Sequence, residues 1–87
     1  MARTAAPVGA PAFDRELDVR GLTCPLPALR ARIALGRMKG GEVLRVIATD
    51  RESPRDFERF AHATGHVLLA QSATRRQFVF YLRKKGG

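Results

Sequence analysis

A single cysteine, Cys24, is all the thiol that this 87-residue chain holds. One thiol excludes an internal disulfide and a thiolate metal cage, two staples on which small domains often rely. Histidine is nearly as scarce, with His62 and His66 alone. Their spacing of four resembles a metal pair, but Gly65 lies between them and marks a helix end, so two ordinary surface histidines are expected. Long apolar runs are missing. No stretch reaches the roughly 20 apolar residues of a membrane span, and residues 1–11 lack the continuous apolar segment of a secretory leader. A lone thiol without an export signal is expected in a reducing cytoplasm, with no membrane partner. A domain of this size buries only about 60–65% of its unfolded surface, which leaves little room for a deep cavity. No cofactor and no metal are expected.

Acidic residues are also few: 8 against 16 basic ones, 13 of them Arg, for a net charge of +8. That balance favours acidic partners or nucleic acid. The Arg residues are scattered from Arg3 to Arg83, and only Arg75-Arg76 and Arg83-Lys84-Lys85 cluster. A solvated basic surface is therefore the simpler reading.

What is present is a regular succession of elements. Residues 1–15 are rich in Ala and Pro, without periodicity, and read as a disordered tail. Residues 16–87 read as one domain. Glu16 to Arg20 alternates as a short strand, with Leu17 and Val19 on one face. Pro25 to Met38 reads as a helix whose core stripe is Ala28, Ala31, Ala34, Leu35 and Met38. Leu26, Leu29 and Ile33 make a second apolar stripe. Glu42 to Ala48, apolar on both faces, suits a central strand. Ser53 reads as an N-cap with Pro54 at the first helical position and Asp56 in the first turn; Gly65 ends that helix. His66–Ser72 and Gln77–Arg83 read as antiparallel strands joined by a short link. The order β-α-β-α-β-β predicts an α/β two-layer sandwich, a four-stranded mixed sheet with both helices on one face. The other face is expected to be more exposed, with Tyr81 on it.

The run Gly21-Leu22-Thr23-Cys24-Pro25-Leu26-Pro27 places the thiol where a loop becomes a helix. With Pro25 as first helical residue, Cys24 is the N-cap, where free backbone N–H groups and the helix dipole favour an anion and lower a cysteine pKa. Pro25 and Pro27 fit the first turn and stiffen it. Arg20, across the turn, can add positive charge. A small buried cysteine is the competing reading. No general base stands out, and no Cys-His pair with an orienting third group is fixed. A thiol without a base can still carry a group handed to it by another protein.

Leu17-Asp18, Arg20-Gly21-Leu22 and Cys24-Pro25-Leu26-Pro27 together resemble the signature of the TusA/SirA-like sulfur-carrier proteins. The resemblance runs on through Gly41-Glu42-Val43-Leu44, Asp50 and the basic closing strand, over residues 16–87. It implies a two-layer sandwich and a role for Cys24 as acceptor of sulfane sulfur, held as a persulfide. It further implies a cysteine desulfurase or rhodanese-like donor and a downstream acceptor protein, in tRNA thiolation, molybdenum-cofactor assembly or sulfur metabolism. Such a chain is a sulfurtransferase-type carrier rather than a stand-alone multi-turnover enzyme. Where relatives often carry Lys on the first helix, this chain has Arg30, Arg32 and Ile33. The stripe Leu26-Leu29-Ile33 is then either a partner-docking surface, with Arg20 and Arg30 beside it, or extra packing.

Three other readings compete. A basic four-stranded sheet also describes RNA-binding modules, with Phe78, Phe80 and Tyr81 as stacking residues; no RNP-type run is present, and direct nucleic-acid binding is not expected. Ubiquitin-like carriers hold sulfur on a terminal Gly-Gly, as in Gly86-Gly87, but their fold opens with a hairpin. A regulatory interaction domain of the same fold would leave Cys24 dispensable.

Overall fold

Alternating apolar residues and two proline-led helices give six elements in the computed structural model, which describes residues 10–86. They are β1 (Arg15–Val19), α1 (Leu26–Gly36), β2 (Val43–Ala48), α2 (Ser53–Thr64), β3 (Val67–Ala73) and β4 (Phe78–Arg83). The sheet order is β1-β2-β4-β3. β1 runs parallel to β2, with Leu17 opposite Val46 and Val19 opposite Ala48. β4 is antiparallel to both β2 and β3, and β3 is irregular between Leu68 and Ala70. The expected mixed sheet and its antiparallel closing pair are therefore present, and β2 is central. Among the described residues the element order opens β-α, without the initial hairpin of a β-grasp.

One face of the sheet supplies Val19, Leu44, Val46, Ala48, Phe80 and Leu82 to the core, and Ala31 and Leu35 of α1, Met38 just beyond it and Phe57 of α2 cover that face. Phe57 stacks on Phe80 with ring centroids 4.5 Å apart. Burying a side chain of this size stabilises the fold by about 3 kcal/mol, so this contact fixes α2 on the sheet.

Two expectations about the helices need correction. α1 ends at Gly36 rather than Met38, because the Arg37 and Met38 N–H groups donate to Ala34 and Leu35, three residues back. This tight last turn still buries Met38. Ser53 is not the N-cap of α2 but its first residue, behind Glu52. The chain turns one residue early, with the Ser53 N–H donating to the Asp50 carbonyl. The Ser53 hydroxyl is buried without a hydrogen-bond partner.

The second sheet face is not open at Tyr81, which is 4% exposed. Phe13 packs on its ring at 6.3 Å. The Arg45 guanidinium lies 5.6 Å from the Phe13 ring centre and donates to Tyr81 Oη at 3.1 Å; it also pairs with Glu16. Order reaches further toward the N-terminus than residue 16. Arg15 opens β1, the Asp14 N–H donates to the Val43 carbonyl at 2.8 Å, and Asp14 Oδ2 accepts from the Val43 N–H at 2.8 Å. Residues 1–9 of the expected tail lie outside the described residues.

The basic end of β4 closes both helices. Lys84 Nζ donates to the carbonyls of Leu35 (2.7 Å) and Met38 (3.0 Å), and Lys85 Nζ to that of Thr64 (2.8 Å). A cation at a helix C-terminus satisfies orphan carbonyls and opposes the negative end of the dipole. Gly65 ends α2 in the left-handed region at φ 86°.

Candidate functional site

β1 and β2 are parallel neighbours, so the loops that leave them lie side by side and both helices begin at the same edge. Two hydrogen bonds tie these loops together. The Gly21 N–H donates to Thr49 Oγ1 at 2.9 Å, and the Cys24 N–H donates to Asp50 Oδ2 at 2.8 Å. Gly21 holds φ 83°, a left-handed turn that carries the chain from β1 toward α1. Cys24 is exposed at the end of that turn; the reading of a small buried cysteine does not hold.

The thiol does not cap α1. Pro25 is the N-cap, Leu26 the first helical residue, and Pro27 the second. The Leu26 N–H, a first-turn donor that an N-cap thiolate would need, donates instead to the Thr23 carbonyl at 2.8 Å. Cys24 stands one residue outside the helix, and its peptide bond to Pro25 is cis. Pro27 is buried in the first turn, so the two prolines occupy the start of α1 as expected, shifted by one position.

The electrostatics run opposite to the expectation. The Cys24 thiol is pushed up to about 11, above its ordinary 9.0, first by its hydrogen bond to the Asp56 carboxylate. Desolvation and the negative charges of Asp56, Asp50 and Glu52 add to the shift. An anion beside three carboxylates is disfavoured, whatever the nearby helix dipole contributes. Arg20 does not offset them. Its guanidinium makes two bonds to Asp18, at 2.8 and 3.0 Å, and its N–H a third at 3.0 Å. These contacts turn it back toward β1 and hold the Asp18 carboxyl down at about 2.

The outward stripe of α1 resolves in favour of exposure over packing. Leu26 is 39%, Leu29 48% and Ile33 48% exposed. Arg30 and Arg32 are exposed among them, and α1 contains no acidic residue. Among the described residues no group of three or more His, Cys, Asp or Glu is placed to hold a metal ion. His66 accepts the Lys85 N–H through Nδ1 at 3.0 Å and packs on Phe60. Burial, then Lys85 and Lys84, push its pKa down, so it is a neutral acceptor at the far end of α2. No helix of the described residues is long and apolar enough to cross a membrane.

Asp56 and Glu52 are the residues that the sequence reading missed as neighbours of the thiol. Asp56 was assigned only to the first turn of its helix. The signal was available in the topology, since parallel neighbouring strands bring two helix starts to one edge.

Fold and site together define a small two-layer α/β protein that presents one exposed thiol just ahead of a proline-led helix. The family model for sulfurtransferase TusA matches residues 15–84, and the chain belongs to that family. It is 49% identical over 72 residues to the sulfur carrier protein TusA of Allochromatium vinosum, covering 83% of this chain and 95% of that one. With the sulfur carrier protein TusA of Pseudomonas syringae it shares 39% over 72 residues, 83% and 86% of the two chains. A SirA-like protein from Desulfitobacterium hafniense has the same fold, with a TM-score of 0.68 over 83% of this chain and 99% of that one, at 20% identity.

Proposed function

We propose that this protein is a sulfur carrier whose Cys24 accepts a sulfane sulfur as a persulfide and passes it to an acceptor protein. The supporting observation is the exposed Cys24 thiol at the start of α1, in a chain whose relatives are named sulfur carriers. Loading is an exchange: Cys24–SH and a donor persulfide R–S–SH give Cys24–S–SH and R–SH, with no external oxidant. The donor is a cysteine desulfurase or a rhodanese-like protein. It docks on Leu26, Leu29 and Ile33, the apolar stripe that begins two residues beyond the thiol. Arg30 and Arg32 with no acid on α1 call for an acidic rim on that partner.

Incubation with a cysteine desulfurase and cysteine tests the reading by intact mass. The wild type gains one sulfur that a thiol reductant removes, and Cys24→Ser gains none. Sulfur retained by Cys24→Ser, or none on the wild type, would overturn it. In the same assay Leu29→Glu slows protein-delivered loading by about tenfold, the size of a central interface contact, and leaves loading by glutathione persulfide unchanged. Equal slowing of both routes would remove the docking role.

The nucleic-acid reading loses two of its three stacking residues and its C-terminal lysines. Tyr81 is buried, Phe80 is in the core, and Lys84 and Lys85 face helix carbonyls.

A further inference from the structure

We propose that the tip of the β3–β4 hairpin, through Arg75 and Arg76, is a second docking contact for an acidic surface of the protein that loads Cys24, a role that rests on the sulfur-carrier reading above. The sheet brings the two together. β4 is antiparallel to β2, with Phe78 opposite Ala48, and to β3, with Phe78 opposite Ala73. The link between β3 and β4 therefore leaves the sheet at the end where β2 runs into Thr49 and Asp50, the residues that hold the Gly21 and Cys24 N–H groups. The strand order β1-β2-β4-β3 gives the thiol loop one half of this edge and the hairpin the other. With about 4.8 Å between strands, the four strands span about 14 Å. A standard interface of about 800 Å² per partner is about 30 Å across. A protein seated on the thiol thus reaches the hairpin as well.

The hairpin is braced to present its charge. The Thr74 N–H donates to the Gln77 carbonyl at 2.9 Å, and Thr74 Oγ1 accepts from the Gln77 N–H at 3.3 Å and the Arg76 N–H at 3.4 Å. Both arginines are exposed on this turn. Other basic groups serve the fold: Arg20 on Asp18, Arg45 on Glu16, Lys84 and Lys85 on helix carbonyls. Among the described residues Arg75 and Arg76 enter no ion pair. Residues 59–87 contain no Asp or Glu, so nothing on β3 or β4 offsets them. At the start of α2, on the same edge, Arg51 and Arg55 alternate with Asp50, Glu52 and Asp56, which leaves that stretch nearly balanced. The hairpin is where this edge carries charge of one sign. Such a pair speeds encounter with an acidic surface and orients it over the neighbouring thiol. A protein fits better than a nucleic acid, because Phe78 at the base of the hairpin packs against the core and offers no free ring for a base to stack on.

The test loads the full-length chain with a cysteine desulfurase and cysteine, and separately with glutathione persulfide, and follows the gain of one sulfur by intact mass. At low salt Arg75→Glu/Arg76→Glu slows loading by the desulfurase about tenfold, and at about 0.5 M salt the gap narrows to about twofold as screening removes the attraction. Loading by glutathione persulfide is unchanged. Arg37→Glu/Arg83→Glu makes the same change of net charge at the opposite end, where Arg37 closes α1 and Arg83 faces Val43, and leaves both rates as in the wild type. Arg75→Ala/Arg76→Ala repeats the test if charge reversal disturbs the fold. Equal slowing by both double variants, slowing of both loading routes by the hairpin variant, or no slowing at all overturns the role of the hairpin. An RNA gel shift that depends on Arg75 and Arg76 while loading does not assigns the pair to nucleic acid and overturns it too. A wild type that takes up no sulfur from the desulfurase overturns the carrier reading instead.

Discussion

The two ends of α1 are treated in opposite ways. At its start the neighbouring charges are carboxylates: Asp50 accepts from the Cys24 main-chain N–H, and Asp56, Asp50 and Glu52 all push the Cys24 thiol pKa up. At its finish the neighbour is Lys84, bonded to two carbonyls of the last turn. α2 repeats the pattern, with Asp56 in its first turn and Lys85 on the Thr64 carbonyl. Acids at helix starts and cations at helix ends both suit the dipole, so in each case the charge stabilises its helix. Only at the start is a reactive group exposed, and there the same carboxylates that suit the helices hold its proton on. A chain of net charge +8 thus keeps its thiol in a local acidic environment.

That contrast can be broken at either end. The largest effect on stability is expected at the finish. Lys84→Met removes two charge-assisted bonds to half-buried carbonyls and should cost about 2 kcal/mol in urea unfolding. Sulfur uptake at Cys24 should be unchanged in this variant. A loss of uptake at full stability would show that the two ends are coupled. The smallest effects are expected in the pH dependence of stability. Asp18, lowered from 3.8 to about 2 by its bonds to Arg20, contributes stability above pH 3.8 that is lost as pH falls through 2. Cys24, raised from 9.0 to about 11, has the opposite sign: its contribution is present below pH 9 and lost as pH rises through 11. Asp18→Asn should flatten only the acid limb of a melting-temperature profile, and Cys24→Ser only the alkaline limb. An alkaline limb unchanged by Cys24→Ser would show that the thiol is not held protonated.

Much of the fold was legible because local rules and global packing agree. Leu17 and Val19 alternate, Ala31, Leu35 and Met38 recur at helical spacing, and both sets enter one core. Cys24 was legible as the exposed residue before a proline-led start. Its state was not. The helix dipole is a local property, readable from Pro25 and Pro27, and taken alone it points to a lowered pKa. Asp56 lies 32 positions further on, and no local rule connects the two. Tyr81 lies on the outer face that alternation assigns to it, but its burial was missed for a similar reason: Phe13 and Arg45 cover it from outside the strand. The clustered Lys84 and Lys85 were visible as charge, while their carbonyl partners came from distant helix ends.

Elements, their order, the core stripes and the one thiol were determined by the sequence itself, because propensity, capping and periodicity act over a few residues. Tertiary structure alone decided what surrounds that thiol. Parallel pairing of β1 with β2 brings two helix starts to one edge, and Coulomb and hydrogen-bond energies depend on distance in space rather than along the chain.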